Sequence, residues 1–266
     1  MAFNLEEEIL KVTEYKSRYE ARDNEYVISA SMIGNEMLQN YLSIVFGKQK
    51  QKQITDPTLG TIFHKGMDTL IQPYNGNIRI QKEQSMSIKL KNDWILSGTA
   101  DLIVKKDKDY EIHDYKFAKT YTMKMFKKDI TNHNYTKQLI ALKYLLLRIL
   151  EKNSDYINSM DLYCDFFLKD ASMMKGEKIL HQIKIPEESI KITFARDLIN
   201  QTNELQKYIE EGKTPPKCKD TWIRKIGGRT VHSRCQYYCS QAENRPYYDT
   251  MNATTMIDMA NWEPNG

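Results

Sequence analysis

Hydrophobic and polar positions along this chain repeat with two periods, and the switches between them mark out its elements. Between 93 and 105, Trp94, Leu96, Ala100, Leu102 and Val104 alternate with less apolar neighbours, and further on Tyr110, Ile112, Asp114 and Lys116 share one parity. Period two predicts strands over 93–105 and 109–117. The stretches 78–90, 159–169 and 177–185 read the same way. In the second of these, Leu162, Cys164, Phe166 and Leu168 fall on the apolar parity, so Cys164 is expected as a buried core thiol. Helical spacing covers 4–20, a segment from Ser29 or Ser31 to Phe46, the stretch opened by Thr55-Asp56-Pro57, residues 133–151, and the run from Pro186 to about Glu211. The helix after Pro57 offers Leu59, Ile62, Phe63, Met67 and Leu70 as its apolar face, with His64 beside them. The helix over 133–151 carries Gln138 on the same face as Tyr135, Leu142, Leu145 and Ile149, and an inward glutamine must find partners.

Residues 48–54 read as a basic loop, and Thr214-Pro215-Pro216 ends the last helix. The expected organisation is a helical segment over 1–54 packed on a core of 55–212, followed by a small cysteine-containing segment over 213–266. The element order predicts a mixed α/β fold with a central mixed sheet flanked by helices.

Charge placement sharpens this reading. Lys106-Asp107-Lys108-Asp109 is short, polar and turn-like, so the strands on either side of it form a hairpin. Antiparallel counting from its centre sets Asp101 opposite Asp114, with side-chain roots about 5 Å apart. Lys116 shares the face of Asp114. Facing carboxylates repel unless one is protonated or a divalent cation lies between them, and hard oxygen donors suit Mg2+ or Mn2+. Lys116 could then reach a water or a phosphate oxygen. The competing reading is an exposed hairpin with solvated charges. A register-matched acid pair with a lysine two residues along favours the site.

With 266 residues, 41% of them hydrophobic, the chain can bury a full core. No apolar run approaches a membrane span and no signal-peptide core opens the sequence, so a soluble, cytoplasmic protein is expected. Lysine and arginine number 39 against 35 acids, a mild excess that permits a nucleic-acid partner without demanding one. Local clusters say more: Lys48, Lys50 and Lys52 form one run, and Lys119, Lys124, Lys127 and Lys128 follow the acid pair, well placed to hold a phosphate backbone. Beyond the Pro-Pro break lie Cys218, His232, Cys235 and Cys239, with Arg224, Lys225, Arg229 and Arg234 among them. Thiolate and imidazole donors in a short loop-rich segment suit tetrahedral zinc, and free thiols are the alternative.

Read in order, Leu59-Gly60-Thr61 with His64, Gly98 with Asp101, Asp114-Tyr115-Lys116, and Gln138 resemble the PD-(D/E)xK nuclease superfamily over residues 55–150. The resemblance is to its RecB-like branch, which includes the CRISPR-adaptation exonucleases and many phage recombination nucleases. It implies a restriction-endonuclease-like core and a DNA exonuclease dependent on one or two Mg2+ or Mn2+ ions. His64, Asp101, Asp114 and the backbone carbonyl of Tyr115 would be metal ligands, Lys116 would orient or activate the attacking water, and Gln138 would position Lys116 or the DNA. The family's glutamine motif carries an aromatic four residues on; here Leu142 stands there, with Tyr144 two beyond, so Tyr144 joins Lys119, Lys124 and Lys127 as an expected DNA contact. Glu83 resembles an acidic position of the family, and a solvated strand end accounts for it equally. The resemblance also implies an iron-sulfur cluster as an alternative to zinc, yet residues 29–47 contain no cysteine to complete one. DNA is the expected partner, with a recombination or replication protein beside it. A catalytically silent DNA-binding subunit of the same fold is the second reading, against which the retained acid pair and lysine argue.

Overall fold

The computed structural model describes residues 25–47, 56–75, 78–173, 176, 178–216, 218, 223–226 and 229–232. They fall into two compact units, one of residues 25–34 and 56–198, the other of 35–47 and the described residues from Ile199 onward. The first unit is a mixed α/β structure whose centre is a seven-stranded sheet. Its strands are β1 (Val27–Ser29), β2 (Tyr74–Asn75), β3 (Ile78–Lys89), β4 (Ile95–Lys106), β5 (Asp109–Ala118), β6 (Ser159–Leu168) and β7 (Leu180–Lys184). They lie in the order β2-β3-β4-β5-β6-β7, with β1 added against β4. The second unit holds α1 (Met37–Val45), most of α5 (Phe194–Glu210) and a hairpin of β8 (Ile223–Ile226) with β9 (Arg229–His232). Within that unit Leu38, Leu42 and Leu205 are buried.

The hairpin turn falls where counting placed it: Lys106 pairs with Asp109, and the antiparallel β4–β5 ladder runs back to Leu102 opposite His113. There the two strands part. From Ile95 to Ser97 the same side of β4 is taken by β1, in parallel. Meanwhile β5 stays paired with parallel β6 along its whole length, from Asp109 opposite Ser159 to Ala118 opposite Leu168. A parallel pair needs a long crossover, and α3 (Thr120–Lys128) with α4 (Asn134–Lys152) supplies it. The result is a fork between β4 and β5 beside Asp101 and Asp114.

Both faces of the sheet at the fork are covered. Phe63 of α2 (Asp56–Leu70) stacks on Phe117 at 5.1 Å and meets Phe167 at 4.6 Å. Gln138 of α4 bonds to Lys116 and Asp114. Phe117 and Lys116 are neighbours on one strand and so point to opposite faces, which puts α2 and α4 on opposite sides. Beneath α4 the core is dry and apolar, with Ile103, Ile112, Leu139, Leu142, Leu145 and Phe166 fully buried. Each such side chain contributes about 1.5–3 kcal/mol of transfer free energy. Gly98 admits the helix: a Cβ there would lie 2.8 Å from Leu142 Cδ2 and 2.9 Å from the Ala30 Cβ.

The structure departs from the sequence reading at several places. No helix starts at Ser29 or Ser31. Val27–Ser29 form β1, a 3-10 turn spans Ala30–Met32, and α1 begins only at Met37. β-branched Val27 and Ile28 favour the strand, and Gly34 at φ +101° breaks the backbone before the helix. In α2 the expected apolar face divides: Phe63 packs inward, while Leu59, Ile62 and Leu70 are exposed. After Pro186 comes a 3-10 turn, Glu187–Ser189, and the helix opens at Phe194. Helix α3, a lysine-rich stretch, was not anticipated as an element. The expected helix over 4–20 and loop over 48–54 lie outside the described residues. No described helix is long and apolar enough to cross a membrane.

Candidate functional site

The fork explains how groups from both faces of the sheet can meet. Where β4 no longer pairs with β5, the backbone N–H of Tyr115 has lost its β4 acceptor, and the Asp101 side chain takes that place: Tyr115 N–H donates to Asp101 Oδ2 at 2.7 Å. The other oxygen of Asp101 lies 3.2 Å from His64 Nδ1, on α2. Burial alone would lower the His64 pKa, but the hydrogen bond and charge of Asp101 outweigh it and hold the imidazole above its ordinary value. The Tyr115 ring meets His64 edge-on at 5.9 Å and Phe167 at 5.8 Å, which fixes the ring at the floor of the site.

A third donor enters from β3. Lys82 pairs with Leu102 and Gln84 with Ala100, so Glu83 stands at the register position opposite Asp101, the one step missing from that ladder. Its φ of +47° is left-handed, a conformation that a side chain with a Cβ pays for by roughly 1–2 kcal/mol. Donor atoms of His64, Glu83 and Asp101 all lie within 4.8 Å of one another. This is the one group of its kind among the described residues. Sequence reasoning left Glu83 undecided. Counting outward from the turn around Asn92, as was done for Asp107, would have aligned it with Asp101.

Asp114 and Lys116 occupy the α4 side. Lys116 Nζ is 2.5 Å from Asp114 Oδ2 and 3.3 Å from Gln138 Oε1, and Gln138 Nε2 donates to Asp114 Oδ1 at 3.0 Å. Gln138 thus binds both members of the ion pair. The Tyr135 ring lies 4.6 Å from Lys116 Nζ, adding a cation–π contact. The Asp114 side chain is only 3% exposed. Burial pushes its carboxyl up to about 6 against the pull of Lys116, and the charge of Asp101 adds to the rise. Lys116 is driven the other way by its burial, yet Asp114 more than compensates and keeps the ammonium protonated well above the lysine range. Asp114 Oδ2 is buried in this ionic contact without a well-directed hydrogen bond. Cys164, across the strand from Asp114, is fully buried, as expected, and burial raises its thiol pKa.

The remaining expected residues are placed as follows. Lys119 caps α3, and Lys124 and Lys127 project from it, all exposed. Tyr144 is half-buried with its ring against Phe194 at 5.6 Å. Cys218 is buried and His232 ends β9 opposite Ile223. Cys235 and Cys239 lie outside the described residues.

Carboxylate oxygens and one imidazole nitrogen at this spacing fit a hard or borderline divalent cation such as Mg2+ or Mn2+. His64, Glu83 and Asp101 would hold it, with Asp114 beside them.

No protein-family model matches the chain, and no curated protein matches it. Among solved structures it is similar to the crystal structure of SSO0001, with 15% identity and a TM-score of 0.48 over 91% of this chain and 94% of that one. It is also similar to a Eubacterium rectale crystal structure to which an exonuclease role is ascribed. There the identity is 10% and the TM-score 0.35, over 76% of this chain and 74% of the other.

Proposed function

We propose that this chain is a divalent-metal-dependent deoxyribonuclease of the PD-(D/E)xK kind, acting as an exonuclease in recombination, repair or genome processing. The observation that carries the reading is the fork itself. An imidazole and two carboxylates converge to within 4.8 Å, and a buried aspartate, lysine and glutamine interlock beside them. Burying like charges without a partner ion is costly, so a protein with only a structural need at this position gains nothing from them.

A bound Mg2+ or Mn2+ would supply Lewis acidity and charge neutralisation to a phosphodiester. The protein's own groups divide the remaining work. Asp101 fixes the donor set by anchoring to the Tyr115 backbone, and His64 and Glu83 complete it from α2 and β3. Lys116, held protonated by Asp114 and aimed by Gln138, presents a fixed cation to a phosphate oxygen and a donor to the incoming water. With its pKa raised it orients that water and does not deprotonate it. Hydrolysis proceeds by in-line attack of water, with no covalent intermediate on the enzyme.

The test is incubation with end-labelled linear and closed circular DNA, with Mg2+, Mn2+ or EDTA. Metal-dependent loss of linear DNA, sparing of circles, and no cleavage by Asp101→Asn are expected. Cleavage undiminished in EDTA or in Asp101→Asn sinks the assignment.

A further inference from the structure

Helix α3 follows the strand of Asp114 and Lys116 after one intervening residue, Lys119, so its first turn lies within about 15 Å of Lys116. Its inner face is fixed. Thr120 donates both its N–H and its hydroxyl to Asp170 at 2.8 Å, and Met123 and Phe126 are buried. Phe126 packs on Phe166 at 5.2 Å and on Tyr135 at 6.1 Å, the same Tyr135 whose ring lies against Lys116. The helix is therefore coupled by packing to the candidate site.

Its outer face has an unusual make-up. Tyr121 is 64% exposed and Met125 40%, one turn apart, with Lys124 and Lys128 on the same stripe and Lys127 beside it. The helix contains no acidic residue, and Lys124, Lys127 and Lys128 form no ion pair with any described residue. Asp129 follows at its C-terminal end. A solvated helix face is usually laced with charges of both signs. This one offers an aromatic plane among cations of one sign, which suits a ligand with flat faces and a phosphate backbone.

We propose that the exposed face of α3 is a docking track for single-stranded DNA, stacking an unpaired base on Tyr121 while Lys124 and Lys128 contact flanking phosphates. A duplex hides its base faces and cannot use Tyr121. The proposal deepens the nuclease reading, naming the strand type that the site receives.

The test is fluorescence anisotropy of labelled oligo(dT), a blunt duplex of equal length and oligo(U), with the full chain in EDTA so that nothing is cut. Tyr121→Ala is expected to weaken oligo(dT) binding about tenfold, Tyr121→Phe to stay within about twofold, and duplex binding to be unaffected, as one lost stacked base requires. Lys124→Gln with Lys128→Gln should reduce the salt slope for oligo(dT) by about 1.4, from two lost phosphate contacts. Tyr121→Ala binding oligo(dT) like wild type, a duplex binding as tightly as the single strand, or a preference for oligo(U) each overturns the proposal. Loss of binding in Tyr121→Ala from a protein that never cleaves DNA would instead preserve the track and remove the nuclease reading.

Discussion

At the scale of single residues, the site depends on Gln138 touching both halves of a buried ion pair. Lys116→Met removes the cation and leaves Asp114 buried without its counter-charge, so metal-dependent cleavage should fall by at least about a thousandfold, within the range for loss of a group acting on the reacting proton or phosphate. Gln138→Ala leaves both charges present but unaimed, and a decrease of about 10–100-fold is expected, as for outer-shell partners of metal sites. Single-turnover rates check both, and a Gln138→Ala enzyme as fast as wild type would mean that the amide is mere packing. A second buried group gives a pH signature outside this chemistry. His113 donates or accepts at 2.8 Å with Asp165 and at 3.2 Å with Glu111. Burial would lower its pKa, but those two acids raise it above its ordinary value of 6.5. A raised pKa means that the folded state holds the proton more tightly. The stabilisation is thus complete below about pH 6.5 and fades as pH climbs through the folded value. His113→Gln should therefore destabilise the protein more at pH 6 than at pH 9, measured by urea unfolding; an equal loss at both would show that the pair carries no charge.

At the scale of elements, the fork requires α4 to lie close on β4, and Gly98 is what permits it. Gly98→Ala places a methyl 2.9 Å from the Ala30 Cβ and 2.8 Å from Leu142 Cδ2. One neighbour cannot move and the other can only rotate, so a loss of about 1–3 kcal/mol is expected from overpacking, read as a lower urea midpoint at unchanged slope. The strands and α4 were legible in the sequence because their signal is local. Alternation over 93–105 and 109–117 and a two-residue turn set the register, and the register set Asp101 against Asp114. What was not legible depends on partners distant in sequence. Three-residue β1 has no period to detect and exists because β5 has left that side of β4. The inward turn of Phe63, at the expense of Leu59 and Ile62, is decided by Phe117 and Phe167, which no pattern within α2 announces. The Glu83 donor was hidden by a positive φ, which breaks strand alternation where the carboxylate is needed.

At the scale of the whole molecule, folding and ion binding compete for the same groups, and their opposite pH dependences separate the candidate site from a merely structural cluster. In metal-free protein the His64–Asp101 contact contributes most while His64 is protonated, so that contribution is present at low pH and lost as pH rises through the raised His64 value. Asp114, displaced upward to about 6, likewise resists ionising as pH falls below neutrality. An ion needs His64 neutral and the acids charged, so it gains as the contact's own contribution wanes. Mn2+ at a hundred times its dissociation constant should add about 2.7 kcal/mol at pH 8. For a protein of this size that is a rise of about 5–10 °C in Tm. At pH 5.5 the shift should shrink to a degree or two, and Glu83→Gln together with Asp101→Asn should abolish it at both pH values. A Tm increment that persists in the double variant, or that grows on acidification, would place the ion elsewhere on the protein and detach the fork from metal chemistry altogether.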